Sequence, residues 1–96
     1  MERRRYLVSY DVADDRRRTQ VFTILTGAGD HVQYSVFFCD LNEREFVELR
    51  GRLRRVIHQR EDQVLFADLG HAAHSLEAVI ETIGKGYAPS VRAVVI

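Results

Sequence analysis

The chain has 96 residues, 46% of them apolar and 29% charged; this is the mix of one soluble globular domain spanning 1–96, and it excludes a disordered chain. A single cysteine, Cys39, excludes an intramolecular disulfide framework, and strictly apolar runs of at most four residues exclude a membrane-spanning segment. Zero net charge excludes a generally basic nucleic-acid binder and leaves only local patches.

Met1-Glu-Arg-Arg-Arg5 runs straight into a strand-like segment instead of an apolar signal core, so a cytoplasmic location is expected. Arg5–Val12 is rich in aromatic and β-branched residues and predicts a strand. Tyr6, Val8, Tyr10 and Val12 share one face, and Leu7, Ser9 and Asp11 share the other. Asp14 and Asp15 supply a helix N-cap and a first-turn acid. The helix they start runs to about Ala28, with Val21, Ile24, Leu25 and Ala28 as its apolar stripe and Gly27 and Gly29 at its end. Arg17 and Arg18 flank that stripe, and Arg16 faces solvent.

His31–Leu41 is β-rich on both faces. Its pattern predicts one long strand, bent near Gln33–Ser35. Asn42 and Glu45 form a capping box for a second helix, whose stripe is Phe46, Leu49, Leu53, Val56 and Ile57. Arg44, Arg54 and Arg55 lie on the far side. Gly51 in mid-helix costs about 1 kcal/mol against Ala, so this helix leans on packing. Gln63–Leu69 predicts another strand. Ala78–Ile83 favours a strand, although Glu77–Glu81 suits a helix. Gly84–Pro89 is a loop, and Val91–Ile96 predicts a terminal strand.

The order β-α-β(β)-α-β with extra C-terminal strands predicts a ferredoxin-like α+β sandwich, an antiparallel sheet with two helices on one face. The core spans about 5–69. The middle segment is apolar on both sides, so something else must cover the second face, and a two-fold partner using the same patch is the simplest occupant.

Asp11 is the sharpest candidate for chemistry. It is an acid at the end of the first strand, interrupting an otherwise packable face. The alternative is an Asp that caps the following helix. Asp11, Asp14 and Asp15 together make an oxygen-rich set of the kind Mg²⁺ takes, but a strand end and a capped helix aim their side chains differently. Arg16-Arg17-Arg18 at a helix start opposes the macrodipole, which points to phosphate contact or to pairing with Asp11. Thirteen of the fourteen cations are Arg, and residues 1–18 and 42–60 are locally basic at +2 and +3. His71 and His74 share an i, i+3 spacing without a third zinc ligand nearby. Tyr34, Phe37 and Phe38 resemble a base-stacking set, but the rest of an RNA-binding motif is missing, which favours core or interface packing.

Tyr6-Leu-Val-Ser-Tyr-Asp-Val12, Asp14-Asp-Arg-Arg-Arg18 and His31-Val-Gln-Tyr-Ser-Val-Phe37 together resemble the signature of the small CRISPR-associated Cas-two family. The resemblance covers residues 5–41 strongly and the element order to about 69. It implies a ferredoxin-like homodimer that works with the CRISPR integrase, Cas-one, in spacer acquisition. It also implies a Mg²⁺-dependent endonuclease of endoribonuclease type. Carried over by position, Asp11 is the catalytic and metal-binding acid, and Arg17 and Arg18 are the basic helix start. Tyr10, Gln33, Ser35 and Phe37 are motif positions of the framework. The segment 31–41 would break near Tyr34, and 70–96 would pair across the dimer. Phe38 stands where an acid is common in that family, and His31 where Arg is frequent.

Two readings share these motifs. In one, two Asp11 carboxylates hold one Mg²⁺ and cleave a phosphodiester, with single-stranded RNA among the substrates. In the other, the dimer is a non-catalytic scaffold that holds double-stranded DNA through Arg17, Arg18, Arg54 and Arg55. A small-ligand-binding ferredoxin-like regulator fits the fold alone.

Overall fold

The computed structural model describes residues 2–88. Arg4–Asp11 form β1, Asp15–Ala28 α1, Asp30–Gln33 β2, Val36–Leu41 β3, Glu43–Val56 α2 and Gln63–His71 β4, and a single helical turn, Leu76–Val79, is α3. The sheet order is β2-β3-β1-β4, with every neighbouring pair antiparallel. This is the ferredoxin-like α+β layer that the order of elements predicts. Among the described residues no helix is long and apolar enough to cross a membrane.

Period-two alternation decides which face the helices cover. Tyr6, Val8, Tyr10 and Val12 of the first strand segment are buried with Phe37, Cys39 and Leu41 of β3, against Val21 and Leu25 of α1 and Leu49 and Leu53 of α2. Burial of each large aliphatic side chain in this layer contributes about 1.5–3 kcal/mol. Aromatic packing fixes α2 on the sheet: Phe46 stacks on Tyr6 with ring centroids 4.2 Å apart and meets Phe66 edge-on at 5.5 Å. The Arg50 guanidinium covers the outer face of this stack, 4.6 Å from the Phe46 ring centre.

Both helix starts form as predicted. Asp14 accepts the Arg17 N–H at 3.0 Å. Asn42 and Glu45 exchange side-chain-to-backbone bonds, each of 2.9 Å. Gly29 ends α1 for a packing reason: a Cβ there would lie 2.4 Å from the Phe38 carbonyl oxygen and 2.5 Å from Cys39 Sγ.

Two readings of the pattern change. The segment 31–41 is not the one bent strand of its alternation but a hairpin, broken near Tyr34 as the family resemblance implies: Gln33 pairs with Val36, and Tyr34 takes a φ of +29° in the two-residue turn. No Asn-Gly or Asp-Gly marks that turn, so the β-rich pattern runs through it unbroken. The segment 78–83 is not a strand either. Leu76, buried at the start of α3, winds the chain into one turn closed by the Ile80 N–H on the Leu76 carbonyl at 2.9 Å, and irregular chain follows. The strand expected for 91–96 lies outside the described residues.

The chain reaches α3 through a break in β4. Between Arg4 and Tyr6 the β1–β4 register slips, and Gly70 takes a φ of +93°. Beyond it, residues 72–80 turn back under the open face of the sheet, where Arg5 donates to the His74 carbonyl at 2.6 Å and to both Asp40 carboxylate oxygens at 2.8 and 3.0 Å.

The two glycines of the α1 end have opposite expected effects on replacement. Gly29→Ala forces β3 to shift and is expected to cost about 1–3 kcal/mol in urea unfolding. Gly27→Ala meets nothing within 4 Å and is expected to gain up to about 1 kcal/mol as a better helix former. The same sign for both variants would mean that β3 does not set the end of α1.

Candidate functional site

Asp11 closes β1 on the sheet face that the helices do not cover. The register places it opposite Gln63 of β4, and the same face carries Leu7, Ser9, Val36, Phe38, Leu65 and Ala67. Leu65 is 46% exposed and Leu69, further along β4, 53%. The open face is therefore apolar, with Arg5 and Asp40 joined at one end and Asp11 exposed at the other.

Behind Asp11 lies a network that no sequence pattern announces. The Asp62 side chain is fully buried and its carboxylate accepts from three separate segments. Arg17 of α1 donates from Nε at 2.7 Å and Nη2 at 3.2 Å, Ala13 donates its backbone N–H at 3.0 Å, and His58 donates its own at 2.8 Å. Arg17 also reaches Glu61 at 3.3 Å. This is a bidentate, charge-assisted pairing of the strong kind. The Arg17 hydrogen bond, joined by the His58 and Ala13 N–H groups, holds the Asp62 carboxyl far below the usual carboxylate range, and the same bond raises Arg17.

The arginine run thus divides. Arg17 pairs with Asp62, not with Asp11. Arg18 folds back on the loop after Asp11, donating to the Val12 carbonyl at 3.2 Å and to Asp15 at 2.6 Å. Arg16 is exposed. Asp14 is the helix cap and Asp15 the partner of Arg18, so the Asp11–Asp14–Asp15 set does not converge. Of the five acids at this end (Asp11, Asp14, Asp15, Glu61 and Asp62), Asp11 alone is uncommitted among the described residues. Arg54 and Arg55 are exposed near the C-terminal end of α2 and pair with no carboxylate among the described residues.

The framework positions separate by burial. Tyr10 and Phe37 lie in the core, where burial pushes the Tyr10 hydroxyl up. Ser35 accepts the Tyr10 N–H at 3.2 Å through its backbone carbonyl, and Gln33 is exposed at the end of β2. Tyr34 is not packed at all: it is 93% exposed at the hairpin tip. No group of three or more metal-ligating side chains gathers among the described residues. As a donor, an exposed carboxylate suits Mg²⁺, which takes one or two carboxylates and keeps several waters. Asp11 is the one exposed carboxylate at this end without a partner among the described residues, so a single chain offers the ion one free carboxylate.

Because Asp62 is depressed, its contribution to folding is present above the unfolded carboxyl pKa of about 4 and is lost as pH falls through the folded value. Asp62→Asn is expected to be less stable than the parent at pH 7, with the gap closing as pH drops below about 4. Urea midpoints measured from pH 7 to acid check this; parallel curves would mean that Asp62 is not the anchor.

A family model for "CRISPR associated protein Cas2" matches residues 4–75. The chain is 43% identical over 74 residues to CRISPR-associated endoribonuclease Cas2 3 of Synechocystis sp., covering 77% of this chain and 78% of the relative. It is 38% identical over 97 residues to CRISPR-associated endonuclease Cas2 2 of Thermus thermophilus, covering 98% and 97%. Among solved structures, Cas2 of Streptococcus pyogenes superposes with a TM-score of 0.70 at 32% identity, covering 83% of this chain and 99% of that one. With the family match running from β1, which carries Asp11, through the whole of β4, the chain belongs to the CRISPR-associated Cas2 family.

Proposed function

We propose that two copies of this chain pair through the open sheet face and that their two Asp11 carboxylates together hold one Mg²⁺ for hydrolysis of a phosphodiester bond, in RNA as the names of the endoribonuclease relatives indicate. The observation that carries this reading is the isolation of Asp11: a carboxylate exposed and uncommitted among the described residues, on a backbone that Asp62, Arg17 and Arg18 fix from behind. Half-exposed Leu65 and Leu69 on the same face supply the apolar surface for a partner. The dimer would act in the cytoplasm, as the adaptation subunit that joins the CRISPR integrase Cas1.

The chemistry divides among the chain's own groups. Asp11 holds the ion from the end of β1. Arg18, half-exposed, retains donors for a phosphate oxygen while its Nε keeps the Val12 carbonyl in place. Arg17 acts through Asp62 and positions the loop that follows Asp11. Divalent metal, when bound, supplies neutralisation of the phosphoryl charge and activation of the attacking water. Water would add to phosphorus as it loses a proton to solvent, the bond from phosphorus to the leaving ribose oxygen would break, and that oxygen would take a proton from solvent to leave as a hydroxyl.

A second reading has its own observation. Arg54 and Arg55 are exposed at the favourable end of the α2 dipole and, among the described residues, pair with no carboxylate; this suits phosphates of double-stranded DNA held on a scaffold. The two readings use different surfaces and both can hold.

Asp11→Asn keeps the shape and removes the charge. Cleavage of single-stranded RNA by the purified dimer in Mg²⁺ is expected to fall to the metal-free background, with the dimer mass unchanged in sedimentation. Parent-like cleavage by the variant would remove Asp11 from the mechanism. For the scaffold surface, the Arg54→Gln/Arg55→Gln double variant is expected to weaken duplex DNA binding. The slope of log K against log salt is expected to fall by about 1.8, or about 0.9 for each phosphate no longer neutralised. An unchanged slope would leave both side chains as solvated surface.

A further inference from the structure

We infer that Gln63 is a second residue of the Asp11 site, a neutral donor whose side-chain amide holds a non-bridging oxygen of the phosphate beside that carboxylate; this rests on the reading of Asp11 as the site of phosphodiester hydrolysis. The β1–β4 ladder pairs Asp11 directly with Gln63, and this is its last pair. Residues paired across antiparallel strands share a face, with Cβ atoms about 4.5–5.5 Å apart, so the Gln63 amide is within reach of the space in front of the Asp11 carboxylate. Both residues are exposed, and the Gln63 amide has no hydrogen-bond partner among the described residues.

The placement stands out on the face it belongs to. Leu7, Val36, Phe38, Leu65 and Ala67 make the middle of the open face apolar. At the Asp11 end the register gathers three polar side chains: Ser9 lies two residues before Asp11 on the same face, and Gln63 lies across from Asp11 and diagonal to Ser9. One interaction fixes the backbones of the facing pair. Gln63 follows Asp62, whose carboxylate accepts the N–H of Ala13, two residues beyond Asp11, at 3.0 Å. The buried anchor thereby sets the spacing of the two side chains that emerge in front of it.

The chemistry favours an amide at this position. A phosphodiester brought up to a carboxylate is repelled by it, and a hydrogen-bond donor beside the carboxylate offsets that repulsion. An arginine here would pair with Asp11 as Arg17 pairs with Asp62, and would consume the free carboxylate. The amide NH₂ donates to a phosphate oxygen and leaves Asp11 charged and unpaired. A donor already in place at the phosphate costs no reorganisation when charge develops on its oxygens.

The test compares Gln63→Met, which keeps the length of the side chain and removes its donor, with Gln63→Arg. Cleavage of a short unstructured RNA in Mg²⁺ gives kcat and KM, and fluorescence anisotropy of the same labelled strand in a chelator gives its affinity without metal. Gln63→Met is expected to lose roughly 10- to 150-fold in kcat/KM, the equivalent of about 1.5–3 kcal/mol for a hydrogen bond to a charged group. Its melting temperature and the Mg²⁺ concentration for half-maximal rate are expected to stay at the parent's values, and its strand binding in chelator to weaken. Gln63→Arg is expected to bind the strand at least as tightly as the parent and to cleave it no faster than Gln63→Met, because its guanidinium takes Asp11. Parent-like kcat/KM in Gln63→Met overturns the inference. A raised Mg²⁺ requirement overturns it too, since the amide would then serve the ion and not the phosphate, and so does parent-like cleavage by Gln63→Arg, since the donor would then not need to be neutral. Strand affinity is read without metal or turnover, so a catalytically irrelevant Asp11 leaves the binding loss of Gln63→Met standing. An inactive Asp11→Asn beside unchanged strand binding by Gln63→Met removes Gln63 alone.

Discussion

The Asp62 carboxylate is the interaction on which the rest of the site depends. Its side chain has no exposure to solvent, and it gathers donors from the β1–α1 loop, from the first turn of α1 and from the loop after α2. A buried carboxylate is tolerable only when its lone pairs are filled, and here the Arg17 fork and two backbone N–H groups fill them. Two stretches far apart in sequence, 13–17 and 58–62, are thereby held at one point, directly behind the end of β1.

That anchoring explains the division of labour among the charged groups. The acids and arginines at this end are mostly consumed in fixing the backbone: Asp14 as a cap, Asp15 with Arg18, and Asp62 and Glu61 with Arg17. What remains among the described residues is one carboxylate, Asp11, on a backbone pinned by the Ala13 N–H on Asp62 and by Arg18 on the Val12 carbonyl. A metal ligand or catalytic acid needs that rigidity, because a site positioned loosely loses most of its effect.

The two ends of the open sheet face are treated differently. At the Arg5 end the returning chain of residues 72–80 covers the sheet, and the Arg5–Asp40 pair takes a further backbone acceptor from His74. At the Asp11 end Leu65 and the hairpin tip stay open to solvent. The chain thus covers with its own segment the end where it has buried Arg5 against Asp40, and leaves bare the end where Asp11, uncommitted among the described residues, lies. An apolar face with one exposed acid at its rim is suited to a second copy, which would bring the matching acid.

Local signals in the sequence were sufficient for the fold. Alternation in Tyr6–Val12, the stripes of Val21–Ala28 and Phe46–Ile57, and the Asn42–Glu45 capping box each depend on neighbours a few residues away, so they are legible without coordinates. Asp11 was legible in the same way, as an acid on the packable face of a strand. The pattern gave the Tyr34 turn only as a bend in one strand, and the break came from the family resemblance, because the positive φ is imposed by the closing hairpin on a residue that does not advertise it. The helical turn at Leu76 was legible only as the lesser reading, through Glu77–Glu81, because burial of one side chain outweighs the strand preference of Val79 and Ile80. Most of all, the partner of Arg17 could not be read: Asp11 and Asp62 are both acids at strand ends, and they differ only in what surrounds them. Which one becomes a buried anchor and which stays free is decided by the approach of the α2–β4 loop to the start of α1, a contact across 45 residues that no local pattern encodes.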